Sequence, residues 1–127
     1  DRIAEIKHTT GLPVIKAIKV RNRQDVDEAT AFEETADIIL FDARAPDNQV
    51  DALPGGNGIR FDWSLLSSAN PPENFMLSGG LNPDNIANAV TATNAAYFDV
   101  SSGVELSPGE KDLTAIKKFI VALRNAG

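Results

Sequence analysis

Short apolar runs alternate along this chain with stretches whose apolar residues recur every three or four positions, the pattern of strands separated by amphipathic helices. Asp1 to Thr10 carries Ile3 and Ile6 among polar residues and stops at Gly11 and Pro13, so it reads as the end of a helix. Val14 to Val20 predicts a strand, with Val14, Ala17 or Ile18, and Val20 apolar around two solvated lysines, Lys16 and Lys19. From Asn22 or Arg23 a helix is expected over Gln24 to Glu34. It places Val26, Ala29 and Ala31 or Phe32 on one face and most of five carboxylates on a solvated one. Asp37 to Asp42 holds four consecutive apolar residues and ends in a carboxylate, which predicts a strand buried on both faces.

The loop from Ala43 to Arg60, with Gly55-Gly56-Asn57-Gly58 near its end, is longer than connections usually are without a task. No strand directly precedes its glycines and no lysine follows, so they match neither a P-loop nor a dinucleotide fingerprint. One or two helical turns over Phe61 to Leu66 would bury Phe61, Trp63 or Leu66, and Asn70-Pro71-Pro72 ends that unit. Phe75 to Leu77 is the third strand. It runs into Ser78-Gly79-Gly80-Leu81, with Asn82 as N-cap and Pro83 opening a helix through Ile86, Ala87 and Val90. Tyr97 to Val100 is the fourth, followed by Ser101-Ser102-Gly103. Pro108 and Gly109 then break the chain before a helix from Asp112 to Asn125, whose Leu113, Ile116, Phe119, Ile120 and Leu123 have core spacing.

Four strand-plus-helix units after a helix end, with no linker between them, predict one α/β domain with a parallel sheet. Asp42 then lies at the ligand-binding, C-terminal edge of that sheet. Gly79, Gly80, Ser102 and Gly103 are small residues in two successive turns at that edge, where closely approaching N–H groups suit an anion; a pair of polar loops is the plainer alternative. The 127 residues carry a net charge of -6 and no basic stripe, so neither nucleic acid nor an anionic membrane is an expected partner, and an anion would have to be held by local dipoles. There is no cysteine and one histidine, which leaves no thiolate site and little basis for a metal site. No apolar run approaches the roughly 20 residues that span a bilayer, and the expected location is the cytoplasm.

Five stretches together resemble the phosphoribosylanthranilate isomerase family: Val14 to Val20; Leu40-Phe41-Asp42-Ala43; Gly55-Gly56-Asn57-Gly58 with Phe61-Asp62-Trp63; Leu77 to Asn85; and Asp99 to Glu105 continuing through Pro108-Gly109-Glu110-Lys111-Asp112. They occur in the family's order and roughly its spacing, with Asn57 where threonine is usual. The family fold is a (β/α)8 barrel of roughly 200 residues, and the likeness covers only strands five to eight. The resemblance therefore implies that residues 1–127 are the C-terminal half of a TIM barrel, four parallel βα units whose N-terminal partner half is not in this sequence.

The same resemblance implies an Amadori rearrangement of N-(5-phosphoribosyl)anthranilate to 1-(2-carboxyphenylamino)-1-deoxyribulose 5-phosphate, in tryptophan biosynthesis and without a cofactor. Asp42 matches the general acid, which must hold its proton at working pH, as desolvation at the end of an apolar strand favours. Gly79, Gly80, Ser102 and Gly103 match the phosphate site. Asp99 either bonds a substrate hydroxyl or amine or is a structural carboxylate. The family's general base, a cysteine on the first strand, is missing, so the chain alone is expected to be inactive. The alternative is a non-catalytic half-barrel assembly module or phosphate-binding fragment. Its open sheet edges would recruit a complementary N-terminal half or a second copy. An open flavodoxin-like sheet is a third reading.

Overall fold

The computed structural model describes residues 1–43, 62–69 and 71–127. Four strands, β1 (Ile15–Lys19), β2 (Ile38–Asp42), β3 (Met76–Ser78) and β4 (Tyr97–Phe98), form one parallel sheet in the order β1-β2-β3-β4. Helix α1 (Arg2–Thr10) precedes β1. Helix α2 (Arg23–Glu28), prolonged by a 3-10 turn at Ala29–Phe32, connects β1 to β2, while α3 (Ser64–Ser68) precedes β3 and α4 (Ile86–Thr93) joins β3 to β4. A 3-10 turn at Ser102–Val104 and a small antiparallel hairpin, β5 (Glu105–Ser107) and β6 (Glu110–Lys111), lead into α5 (Leu113–Ala126). The architecture is α/β, as the alternation predicts.

Strand order equals chain order, so each crossover lays its helix on the same side of the sheet. Neighbouring helices accordingly pack in succession, α2 on α3, α3 on α4 and α4 on α5. A flavodoxin-like sheet reverses its strand order at a switch point; the order found here does not, which overturns that reading. Ile39, Phe41 and Leu77 point into the helix layer and are buried with Val26, Leu66, Ile86, Ala89 and Phe119. Phe41 meets Phe75 edge-on, with ring centroids 5.3 Å apart.

No described element covers the other face of the sheet. Register aligns Ala17, Leu40, Met76 and Tyr97 in one row across all four strands, with Ile15 beside Ile38 below it. Ile15 is 51% and Tyr97 46% exposed, and Ile38, Leu40 and Met76 are half-buried. The sequence predicts β2 buried on both sides; among the described residues only one side is fully buried, because every described helix packed on the sheet lies on that side.

Local chemistry explains the element boundaries and corrects several expectations. Asn22 caps α2 by accepting from Asp25 N–H (3.1 Å) while the Asp25 carboxylate accepts from Asn22 N–H (3.3 Å), a capping box. Asp25 also takes Arg21 N–H (2.8 Å) and pairs with the Arg21 guanidinium (3.3 Å), so this member of the acidic set is buried rather than solvated. The helix expected to Glu34 tightens to 3-10 at Ala29, where Thr30 Oγ1 donates to the Asp27 carbonyl (2.9 Å). Lys16 is not simply solvated; its ammonium sits 5.0 Å from the centre of the Phe32 ring. In α5, Phe119 is buried and Ile116 and Leu123 half-buried, whereas Leu113 and Ile120 are exposed. At 100° per residue those two lie nearly a quarter-turn or more from the stripe centred on Phe119 and Leu123, on the helix flank.

Candidate active site

The uncovered face ends, at the C-terminal edge of the sheet, in a row of polar side chains. Lys19 is in register with Asp42, and Asp42 with Ser78. Asp99, the residue after β4, sends its N–H to the Leu77 carbonyl (2.9 Å) and accepts from the Ser78 hydroxyl (3.0 Å). Adjacent strands lie about 4.8 Å apart, so Asp42, Ser78 and Asp99 are successive neighbours along one edge. The Asp42 carbonyl takes Val20 N–H (2.9 Å) and Ser78's carbonyl takes Ala43 N–H (2.8 Å), which fixes the backbone where the row is built. Asp42 itself is half-buried and Asp99 exposed. Asp99 is thus held by a hydroxyl, leaving it open to solvent on the site side.

The two small-residue turns rise from the same edge. Gly79 and Gly80 have φ of 100° and 69°, backbone that glycine adopts without the strain a side chain brings, and this lets β3 turn sharply before α4. The turn is pinned from α4's approach: Asn85 donates through Nδ2 to the Gly80 carbonyl (2.8 Å) and accepts from Asn82 N–H (2.8 Å). Asn82 in return accepts from the N–H groups of Asp84 and Asn85 (2.8 and 2.9 Å), which holds the turn ahead of the helix; the helix begins at Ile86 with Asn85 as its N-cap, three residues after the cap the sequence suggests. Gly103 touches this first turn directly. A Cβ placed on it would lie 1.7 Å from the Leu81 carbonyl oxygen, so the two turns are in backbone contact and only glycine fits.

The second turn is held from behind by the hairpin. Lys111 Nζ donates to the Ser101 carbonyl (2.9 Å), to Ser101 Oγ (3.3 Å) and to Glu105 Oε2 (2.7 Å). That hydrogen bond holds the Glu105 carboxyl below its usual range, helped by the Lys111 charge and Gly109 N–H and opposed by desolvation. The hairpin was not legible in the sequence, where Pro108 and Gly109 read only as a break; Gly109, with φ of 82°, is its turn. Sequence reasoning also missed Ser78 as the partner of Asp99. The alternation of β3 was its only signal, since Ser78 falls on the same face as Met76.

The loop Gly55-Gly56-Asn57-Gly58, and Phe61 with it, lies outside the described residues. Among the described residues no group of three or more His, Asp or Glu side chains is placed to hold a metal. A groove of about 470 Å³ lined by Leu66, Pro72, Asn74, Phe75, Thr93 and Asn94 opens at the opposite, N-terminal end of β3, away from all of these residues.

Residues 2–122 match the family model of N-(5'phosphoribosyl)anthranilate (PRA) isomerase. The chain belongs to that family. It is 47% identical over 126 residues to the N-(5'-phosphoribosyl)anthranilate isomerase of Parvibaculum lavamentivorans, a match covering 99% of this chain and 59% of the relative. Among solved structures it resembles phosphoribosyl anthranilate isomerase from Thermotoga maritima, with a TM-score of 0.75 and 39% identity over 94% of this chain and 55% of that one. It also resembles a phosphoribosyl anthranilate isomerase in complex with reduced 1-(o-carboxyphenylamino)-1-deoxyribulose 5-phosphate, with a TM-score of 0.70 and 34% identity over 94% of this chain and 53% of that one. The chain therefore spans a little over half the length of these isomerases.

Proposed function

We propose that this chain supplies the general acid and the phosphate site of an N-(5'-phosphoribosyl)anthranilate isomerase in tryptophan biosynthesis. The observation that carries the reading is the convergence, at one sheet edge, of Asp42 with two glycine/serine turns in backbone contact, in a chain whose family match runs nearly end to end. The N–H groups around Gly79, Gly80, Ser102 and Gly103 cradle the 5'-phosphate, so a net-acidic protein holds an anion through backbone dipoles. With the phosphate seated there, the ribose extends along the row toward Asp42. Asp42 protonates the ring oxygen as the ring opens, and a base on the facing side removes the proton from the adjacent carbon. Asp99, oriented by Ser78, accepts from a substrate hydroxyl or amine.

The base comes from elsewhere, because the chain has no cysteine. The uncovered face, with its row Ala17, Leu40, Met76 and Tyr97, supports the reading that these four βα units are one half of a (β/α)8 barrel and that an N-terminal half closes over them. The same exposed row supports a second reading, an assembly module whose open edges pair with another copy of the chain. In the assembled enzyme, Asp42→Asn is expected to lower kcat at least a hundredfold with little change in KM, as loss of a general acid does. An unchanged kcat would remove Asp42 from the chemistry.

A further inference from the structure

The phosphate reading leaves two charged residues unexplained. Lys111 stands next to the turn that would hold an anion, and a lysine there invites the assumption that it binds the anion itself. Its geometry says otherwise. An ammonium has three N–H donors, and Lys111 directs all three at oxygens of its own loop: the Ser101 carbonyl, the Ser101 hydroxyl and the Glu105 carboxylate. The Glu105 side chain is 14% exposed and the Lys111 side chain 45%. The carboxylate is thus the more enclosed partner and the ammonium the arm that reaches back. The anchor is well seated, since Glu105 opposes Lys111 in the hairpin register and Asp112 N–H bonds the Val104 carbonyl (2.8 Å).

The consequence follows from peptide geometry. In a planar trans peptide the carbonyl of one residue and the N–H of the next point in opposite directions. Fixing the Ser101 carbonyl fixes the direction of the Ser102 N–H, one of the donors assigned to the phosphate. A cation on that carbonyl also polarises the amide and strengthens its N–H as a donor. The Ser101 carbonyl also accepts from Val104 N–H (3.3 Å), so the 3-10 turn and Lys111 hold the same oxygen. The first turn is held in a parallel way, by Asn85 on the Gly80 carbonyl.

We infer that Glu105 and Lys111 are positioning residues: a hairpin-borne ion pair that clamps the Ser101 peptide and aims the Ser102 N–H at the substrate phosphate. The inference rests on the phosphate reading of this edge and deepens it. Removing the clamp weakens phosphate binding through geometry, without taking away a ligand of the phosphate.

The test is titration of the 15N-labelled chain with inorganic phosphate, following the amide resonances of Gly79, Gly80, Ser102 and Gly103. In the unmodified protein all four shift saturably. Lys111→Met is expected to bind about tenfold more weakly and to lose the Ser102 shift while Gly80 keeps its own. Lys111→Arg, which can still reach the carbonyl, restores most of the Ser102 shift, and Glu105→Gln falls between. If the unmodified protein binds and Lys111→Met binds equally well with the same Ser102 shift, the clamp is wrong and the phosphate site stands. If the unmodified protein shows no saturable shift, the phosphate reading fails and the clamp with it. Should Lys111→Met not fold by its thermal transition, the Arg and Gln variants carry the comparison, and an unaltered Ser102 shift in Glu105→Gln overturns the inference. In the assembled enzyme the same substitutions raise KM more than they lower kcat, the sign of a hold on the phosphate end of the substrate.

Discussion

Gly103 is the residue on which the arrangement of the two turns depends. An added methyl would collide with the Leu81 carbonyl, a backbone atom that cannot swing aside. Gly103→Ala is therefore expected to cost about 3 kcal/mol, the upper part of the range for overpacking, and to broaden or shift the amides of both turns. Gly80→Ala meets no atom within 4 Å and is penalised only by its φ of 69°. It should cost about 1–2 kcal/mol and leave the second turn alone. Urea denaturation with amide spectra separates the two; equal costs would contradict the contact between the turns.

Asp25 gives a pH prediction. Burial pushes its carboxyl up, but the bonds from the Arg21 guanidinium, Arg21 N–H and Asn22 N–H outweigh that and hold it below the usual carboxylate range. A depressed folded value means the unfolded chain binds the proton more tightly, so stability rises with pH in this window. The contribution is present above the ordinary aspartate value of about 4 and is lost as pH falls through the folded value. Asp25→Asn should flatten the acid limb of a stability–pH profile and leave its neutral limb parallel to the original. At this scale the positions of Asp42 and of the glycines were legible, because the apolar runs stop there and strands end where they stop. Ser78 with Asp99, and Lys111 with Ser101, were not: they join side chains across separate turns, and no local spacing records such a contact.

At the scale of elements, the C-terminal helix shows what periodicity can and cannot decide. Leu113 and Phe119 share one apolar pattern in the sequence, yet one is exposed and the other buried. Phe119→Ala is expected to cost about 3–5 kcal/mol, whereas Leu113→Gln should stay within about 0.5 kcal/mol. Asp112 accepts from Thr114 N–H (3.0 Å) at the start of this helix, and Asp112→Ala should cost about 1 kcal/mol. Thermal denaturation of the three variants checks the order. The existence and sequence of strands and helices were readable because the apolar runs are separated by strong breakers. Boundaries were not, since β4 is only Tyr97–Phe98 where the apolar run suggests a strand to Val100, and Asp99 and Val100 lie between the strand and the following turn. The β5–β6 hairpin was hidden because Ser107-Pro108-Gly109-Glu110 marks a break equally well whether the flanking residues pair or diverge.

At the scale of the whole molecule, one face of a parallel sheet is packed and the other carries the apolar row Ala17, Leu40, Met76 and Tyr97 with Ile15 below it; Ile15 and Tyr97 are both about half exposed. Parallel sheets are ordinarily covered on both faces, and the chain spans only 59% of its Parvibaculum relative. On the function proposed above the site shares this one-sidedness: the proposed acid and anion cradle lie on one edge, and the sequence has no cysteine to act as the base that the proposal needs. Among the described residues no helix is long and apolar enough to cross a membrane.

The most direct test of this account is turnover of N-(5'-phosphoribosyl)anthranilate by the chain alone and after addition of a polypeptide matching the portion of the Parvibaculum relative that the chain lacks. The account predicts no turnover by the chain alone, turnover on mixing, and its loss when the chain carries Asp42→Asn. Turnover by the chain alone, or mixing that restores activity equally with Asp42→Asn, would contradict it.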